Sequence, residues 1–395
     1  MRKNYFLLFL ILNIFLCGSI FGSAGTGKDA NSSVEMKPRV IDDFLTGLSK
    51  NGFSGSVLVS DGKSVFNHCY GMADRENSVS CNEHTAYDIG SVTKQFTGAA
   101  ILKLEMQGKL SVGDRIDKFF SGAPDDKKAI TIHQLLTHSS GFPSAIGDDY
   151  EVLDKEAFLE KAFKTKLNFK PGEKYDYSNV GYSVLAAIIE KVSGEPYEKF
   201  LHDNLFEPAG MKETGYTIPQ WKPEQIAVGY NGDRKWGRPT EKKWDRTAPY
   251  WNLLGNGGIL STTDDLYKWH RALLTDKILD KAAKAKYYKR HIEEGENAGT
   301  YYGYGWALFP TPRNTTLITH NGGNGTFYCD FLRYTEEKVT IILLSNSMRR
   351  EFRAIPMKIA KSLFSKDYKP EIELRTANPS AISLKDHPEA DLIRG

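Results

Sequence analysis

The sequence predicts an α/β (α+β) protein: an antiparallel sheet flanked by helices, with a helical lobe inserted between early and late strands. Three observations carry this. Short runs rich in apolar and β-branched residues stand at both ends of the chain, early ones at Gly55 to Ser60 and Ser64 to Tyr70, late ones at Thr316 to His320, Thr326 to Tyr334 and Val339 to Ser345. Between them, Ala157 to Phe163 and Tyr182 to Val192 carry apolar residues at helical spacing. The length of 395 residues, 40% hydrophobic and 26% charged, suffices for one domain with a sizeable core.

The elements follow in order. Arg2-Lys3 precede an apolar run from Tyr5 to Leu16, and Gly22-Ser23-Ala24 offers small residues for cleavage after Ala24, so residues 1–24 are expected to be an export signal. The expected location is therefore periplasmic, secreted or associated with the cell envelope. A spanning helix needs about 20 residues; an uncleaved anchor reaching Phe21 leaves membrane attachment through this segment open. Cys17 raises lipidation, but the bulky Leu16 stands where a small residue is usual. Residues 25–37 are small and polar, as in a flexible linker, and 38–366 form the expected folded domain. The tail, 367–395, mixes prolines with charges and reads as loosely packed. Ser60-Asp61-Gly62-Lys63 lies between two apolar runs and reads as a hairpin turn. Ala86 to Gly90 reads as strand and turn. Phe96, Ala99, Ala100, Leu102 and Leu104 then give Gln95 to Gln107 a helical pattern with one buried face. Glu351 to Phe364 reads as a C-terminal helix covering the sheet, with Pro356 kinking it or marking its true start. After removal of the signal three cysteines remain, Cys69, Cys81 and Cys329; one disulfide, Cys69 with Cys81, and one free thiol fit export, and so do three reduced thiols.

The chemistry is concentrated in three segments. In Ser91-Val92-Thr93-Lys94 the serine and lysine are one helical turn apart, which brings the Lys94 amine within reach of the Ser91 proton, and a helix N-terminus favours a developing oxyanion. Ser60 and Lys63 share that spacing, but a hairpin turn cannot hold them on one helical face. In Tyr177-Ser178-Asn179, Tyr177 can move a proton and Asn179 can bind a substrate carbonyl. After His320, Asn321-Gly322-Gly323-Asn324-Gly325 lets backbone approach a ligand, so Gly322 and the N–H of Gly323 are candidates to join the N–H of Ser91 in holding an oxyanion. Singly, these residues also fit a helix cap, a buried tyrosine and a glycine turn. Tyr250-Trp251-Asn252 repeats the Tyr-x-Asn pattern in an aromatic stretch, where Tyr250 is expected to line the pocket.

Taken together, these motifs resemble the serine β-lactamase and penicillin-binding protein superfamily, in the branch with class C β-lactamases, D-alanyl-D-alanine carboxypeptidases, D-aminopeptidases and related esterases. The resemblance runs from about Phe53 to Phe364. It includes Leu135 to Pro143, Pro171-Gly172-Glu173, Gly257 to Leu266 and Tyr302 to Trp306. It implies a β-lactamase/transpeptidase-like fold, acylation of Ser91, Lys94 as its base or as the group that keeps Tyr177 reactive, and Tyr177 activating the deacylating water. Many members carry lysine where this chain has His320, a residue mostly neutral at pH 7. That weakens the β-lactamase reading and leaves peptidases, aminopeptidases and esterases open.

Other classes find no support. The phosphate-loop look of Gly22 to Lys28 follows no strand. No Gly-x-Ser-x-Gly elbow is present. His133 and His138 lack zinc spacing and read as packing or capping residues, so no metal is expected. A net charge of +3 without a basic stripe gives no case for nucleic acid. No cofactor is needed. The expectation is an exported serine hydrolase acting on D-amino-acid peptides, as a D,D-carboxypeptidase does, or on small esters. A β-lactamase and a non-catalytic binder of cell-wall peptide are the alternatives.

Overall fold

The computed structural model describes residues 34–242 and 249–372. The expected export signal, most of the linker and most of the tail lie outside the described residues.

Eight strands form one antiparallel sheet. We number them β1 (Gly55–Ser60), β2 (Val65–Tyr70), β3 (Ile292–Glu293), β4 (Tyr301–Tyr302), β5 (Ala307–Pro310), β6 (Thr316–Gly323), β7 (Tyr328–Tyr334) and β8 (Val339–Ser345). Their spatial order is β2-β1-β8-β7-β6-β5-β4-β3, so the two early strands close one edge of a sheet built from late ones. The β1–β2 connection is the expected hairpin: Asp61 Oδ1 accepts from the N–H groups of Lys63 and Ser64, and Gly62 adopts a φ of +81°. Two late strands differ from expectation in length. β6 continues through Asn321 to Gly323, and β7 begins at Tyr328, because Asn324 Oδ1 takes the N–H groups of Thr326 and Phe327 and turns the chain there.

Alternation divides the core. Val57, Val59, Ile341 and Leu343 face one layer, whereas Leu58, Ile342 and Leu344 face the other. Helix α1 (Pro38–Lys50) covers the first layer with Ile41, Phe44, Leu45 and Leu48, an i, i+3, i+4, i+7 stripe. Beside it lies α7 (Ile355–Phe364), which starts one residue before Pro356; the proline marks the helix start, where its missing N–H costs nothing. Each of the large side chains contributes about 1.5–3 kcal/mol by leaving water.

On the opposite face, α2 (Thr93–Met106) is buried almost all round, since the sheet and the helical lobe enclose it together. The lobe comprises α3 (Ile132–Leu136), α4 (Lys155–Lys164) and α5 (Asn179–Ser193); α6 (Thr263–Leu273) packs back on β1 and β8. A disulfide joins Cys69 to Cys81, and Cys329 is a buried free thiol. Among the described residues no helix is long and apolar enough to cross a membrane.

Candidate active site

Ser91 sits in a single 3-10 turn, Gly90–Val92, that leads directly into α2. The turn is pinned from below by a buried carboxylate: Asp88 accepts the N–H of Gly90 at 2.7 Å and the side-chain amide of Asn324 at 2.8 Å. Burial raises the Asp88 carboxyl to about 7. Asn324 thus ties the Ser91 turn to the turn after β6.

The end of β6 lies against this turn with no room for a side chain. A Cβ on Gly322 would come 2.0 Å from the Ile89 carbonyl and 2.7 Å from the Ser91 nitrogen, and one on Gly90 would come 2.4 Å from the Gly323 nitrogen. Gly90 also holds a φ of +50°. Backbone of Ser91 and backbone of Gly323 therefore flank the same small volume.

Lys94 lies in the first turn of α2 and is fully buried. Its Nζ is 2.7 Å from the Asn256 carbonyl, 2.8 Å from Asn179 Oδ1 and 3.2 Å from Ser91 Oγ. It stands 4.6 Å from the centre of the Tyr177 ring and 5.5 Å from that of Tyr182. Burial pulls the amine well below its usual value, with the Asp149 charge opposing. A neutral amine has two protons and one lone pair. Two short contacts to oxygens that only accept consume the protons, so the lone pair is left for the Ser91 hydroxyl.

The Tyr177 hydroxyl is buried and makes no hydrogen bond of standard geometry. Burial raises its pKa, and the nearby Ser91 hydroxyl is the group that eases its ionisation. Its ring stacks on His138 with centroids 4.1 Å apart, and His138 also packs on Tyr182 and Tyr302. His138 Nδ1 accepts the Ser178 N–H at 3.0 Å, and burial keeps the ring neutral. His138 is a packing residue, as expected, but what it packs is the wall behind Tyr177.

His320 is buried and saturated. Its Nδ1 donates to the Asn321 carbonyl at 2.6 Å and its Nε2 accepts the Tyr302 hydroxyl at 2.9 Å. Burial first, then the Lys94 charge, depresses it to about 3, so it is a neutral imidazole.

On the far side of Asn179 a cleft opens, lined by Ala145, Ile146, Gly147, Asp149, Phe158 and Asn252 among others. Asn252 Nδ2 donates to the Asp148 carbonyl and to Glu151 Oε2, both at 2.9 Å, which leaves its Oδ1 without a partner. Asp149 keeps part of its surface in solvent while its carboxylate sits among protein atoms in electrostatic reach of Lys94. Burial, reinforced by Asp148 and opposed by Lys94, raises it to about 6.

The structure thus brings together Ser91, Lys94, Tyr177, Asn179, Gly322 and Gly323, with His320 behind them. Tyr250 is different: its carbonyl accepts the N–H groups of Leu253 and Leu254, and it is not among the residues that line the cleft, which Asn252 of the same segment does instead. Sequence reasoning missed Asn256, whose contribution is a backbone carbonyl and so leaves no residue-type signal. It also missed Asp149, one acidic residue among several in Gly147-Asp148-Asp149-Tyr150-Glu151.

Comparison with known proteins agrees with this geometry. The model of the family described as Beta-lactamase matches residues 41–363. The chain belongs to the beta-lactamase family. It is 31% identical over 344 residues to penicillin-binding protein 4* of Bacillus subtilis (strain 168), covering 82% of this chain and 75% of that one. It is 30% identical to protein flp of Staphylococcus aureus (strain MW2), over 76% of this chain and 61% of the relative's length. Among solved structures, the octameric penicillin-binding protein homologue from Pyrococcus abyssi has a TM-score of 0.72 at 28% identity, covering 85% of this chain and 80% of that one. A penicillin binding protein from Bacillus halodurans, 24% identical, shares the fold with a TM-score of 0.69, covering 83% of this chain and all of the other. The fold is therefore that of β-lactamases and transpeptidases. This family member is a serine hydrolase of the β-lactamase and penicillin-binding protein superfamily.

Proposed function

We propose that the protein hydrolyses small esters or amides through an acyl-enzyme on Ser91, with Lys94 as the acylation base. The observation that carries this is the buried Lys94 amine, held by two accepting oxygens and 3.2 Å from Ser91 Oγ; once neutral, its remaining lone pair is the one that can take the serine proton. Ser91 Oγ passes its proton to Lys94 Nζ and bonds to the substrate carbonyl carbon. The carbonyl oxygen becomes an oxyanion held by the N–H groups of Ser91 and Gly323, in the volume that Gly90 and Gly322 keep open. Collapse expels the leaving group, which takes a proton from the neutral Tyr177 hydroxyl, and Tyr177 is reprotonated by Lys94. Water then enters and the steps run in reverse to release the acid. Asn179 orients the substrate and, through Oδ1, the amine.

Substrates without a free terminal carboxylate fit best. A D,D-carboxypeptidase substrate carries one, and a cation on β6 would receive it; His320, neutral and twice hydrogen-bonded, offers none. The expected export signal would place the enzyme in the envelope or outside the cell.

The test is turnover of p-nitrophenyl acetate by the wild type and by Ser91→Ala, with intact mass after quenching. Acetyl transfer to the wild type alone, with loss of steady-state hydrolysis in Ser91→Ala, is expected. Equal hydrolysis by both proteins would remove Ser91 from the mechanism. No turnover of any activated ester would favour a non-catalytic binder.

A further inference from the structure

Tyr177 presents its hydroxyl from the irregular segment ahead of α5, and one distant residue holds that segment on both sides of it. The His138 carbonyl accepts the Asp176 N–H at 2.9 Å, and His138 Nδ1 accepts the Ser178 N–H at 3.0 Å. Between these two anchors the His138 ring lies on the Tyr177 ring, with centroids 4.1 Å apart and planes tilted by 30°. His138 is 1% exposed and holds a φ of +56°, a left-handed conformation uncommon outside glycine.

Packing alone does not account for a histidine here. Its other ring neighbours are Tyr175, Tyr182 and Tyr302. The Tyr182 hydroxyl donates to the Leu136 carbonyl at 2.8 Å, and that of Tyr302 is given to His320 at 2.9 Å. Because Nδ1 accepts, the neutral ring carries its proton on Nε2, and Nε2 is buried with no hydrogen-bond partner among the described residues. A buried donor without an acceptor is costly. A phenylalanine would fill this aromatic box without that cost. What histidine adds over phenylalanine is the acceptor for Ser178, one residue beyond Tyr177. Acid–base work by the ring is disfavoured, since burial first, then the charges of Lys94 and His320, hold it well below its usual value and neutral.

We propose that His138 is a positioning residue of the reaction: by stacking on Tyr177 and accepting the Ser178 N–H, it sets where the Tyr177 hydroxyl delivers its proton to the leaving group. This rests on the hydrolase reading above and deepens it. The proton moves from Tyr177 Oη to the departing atom; His138 gains and loses none.

The experiment compares two esters with the same acyl group, phenyl acetate and p-nitrophenyl acetate, which differ in how much the leaving group gains from a proton. Two substitutions separate the contacts. His138→Phe keeps a stacking ring and removes the acceptor; His138→Asn keeps an acceptor near the backbone, tolerates the left-handed conformation and removes the ring. Each is made in the wild type and in Tyr177→Phe, and thermal melts report folding. The readout is the ratio of kcat/KM for phenyl acetate over p-nitrophenyl acetate within each protein, so a general loss of activity cancels. Both substitutions should lower this ratio about tenfold in the wild-type background, part of what a placed general acid contributes. In the Tyr177→Phe background they should leave it unchanged, because there is no hydroxyl left to position. Equal losses for the two esters, or the same fall in the ratio with and without the Tyr177 hydroxyl, would overturn the proposal while the hydrolase reading stood. Should His138→Phe fail to fold, His138→Asn alone decides by the same ratios. Failure of the wild type to turn over either ester would overturn the hydrolase reading and this proposal with it.

Discussion

The two walls of the Ser91 pocket differ in what they leave unsatisfied. The sheet wall, the end of β6, is complete: His320 spends both ring nitrogens on Tyr302 and Asn321, and Gly322 contributes only backbone at close quarters. The lobe wall is incomplete: the buried Tyr177 hydroxyl makes no hydrogen bond of standard geometry, and Asn252 Oδ1 is buried without a partner. The difference teaches that the sheet wall sets distances and the lobe wall chooses ligands. A rigid strand can hold an N–H in place to a fraction of an ångström, whereas loop side chains can be exchanged without disturbing the sheet.

That contrast can be broken or sharpened by substitution. The largest effect is expected from Lys94→Ala, which should lower kcat by about ten-thousand-fold and match Ser91→Ala, because the pair acts as a unit; a loss of only tenfold would return the base role to Tyr177. Next, Gly322→Ala should cost about a hundredfold or more in kcat and about 1–3 kcal/mol of stability, since its Cβ would meet the Ile89 carbonyl at 2.0 Å. Thermal melts with single-turnover kinetics separate the two losses, and normal kinetics would show that the sheet wall tolerates displacement. Tyr177→Phe keeps the ring and its stacking on His138 but removes the proton carrier, for an expected loss of about a hundredfold. This should be larger for amides than for activated esters, whose leaving groups need no proton.

The pH profile gives a smaller effect. The active form of Lys94 is neutral, and its pKa is depressed by burial, so kcat/KM should rise with pH and level off well below 10.5. The Asp149 charge raises the Lys94 pKa. Asp149→Asn should therefore move the rising limb to lower pH, and a limb that stays fixed would place Asp149 out of electrical contact with the amine. Smallest of all is His320→Gln. With the imidazole at about 3 and neutral, the substitution should leave the profile around the ordinary histidine value of about 6.5 unchanged, and kcat/KM should change by less than about fivefold. A vanished limb in that range would show that His320 is charged in solution.

Much of this was legible from residues alone. Helical spacing placed Lys94 one turn from Ser91, and Asp61-Gly62 marked the hairpin that disqualifies Ser60 and Lys63. The glycine run after His320 signalled close backbone approach to a ligand, whereas the packing of Gly322 against the serine turn emerges only in the fold. Tyr250 shows the limit: Tyr-x-Asn occurs twice, and the copy that reaches Lys94 does so because Ser178 caps α5 and projects Asn179 from its first turn. Capping is a local property, whereas the wall to which a loop residue contributes depends on contacts from distant segments. His138 illustrates the same point, 39 residues before Tyr177 by numbering and stacked on its ring in space.

The sequence by itself determined the strand periodicity and the Ser91–Lys94 spacing, because these depend on local geometry repeated at fixed intervals, and its ordered motifs carried the resemblance to the family. Only the tertiary structure decided the charge states. Lys94 loses its proton readily because α2 is enclosed on all sides, His320 is neutral because it is buried close to Lys94, and Asp149 is raised to about 6 because it is buried beside Asp148. Burial and pairing are set by which segments meet, and that is a property of the folded chain.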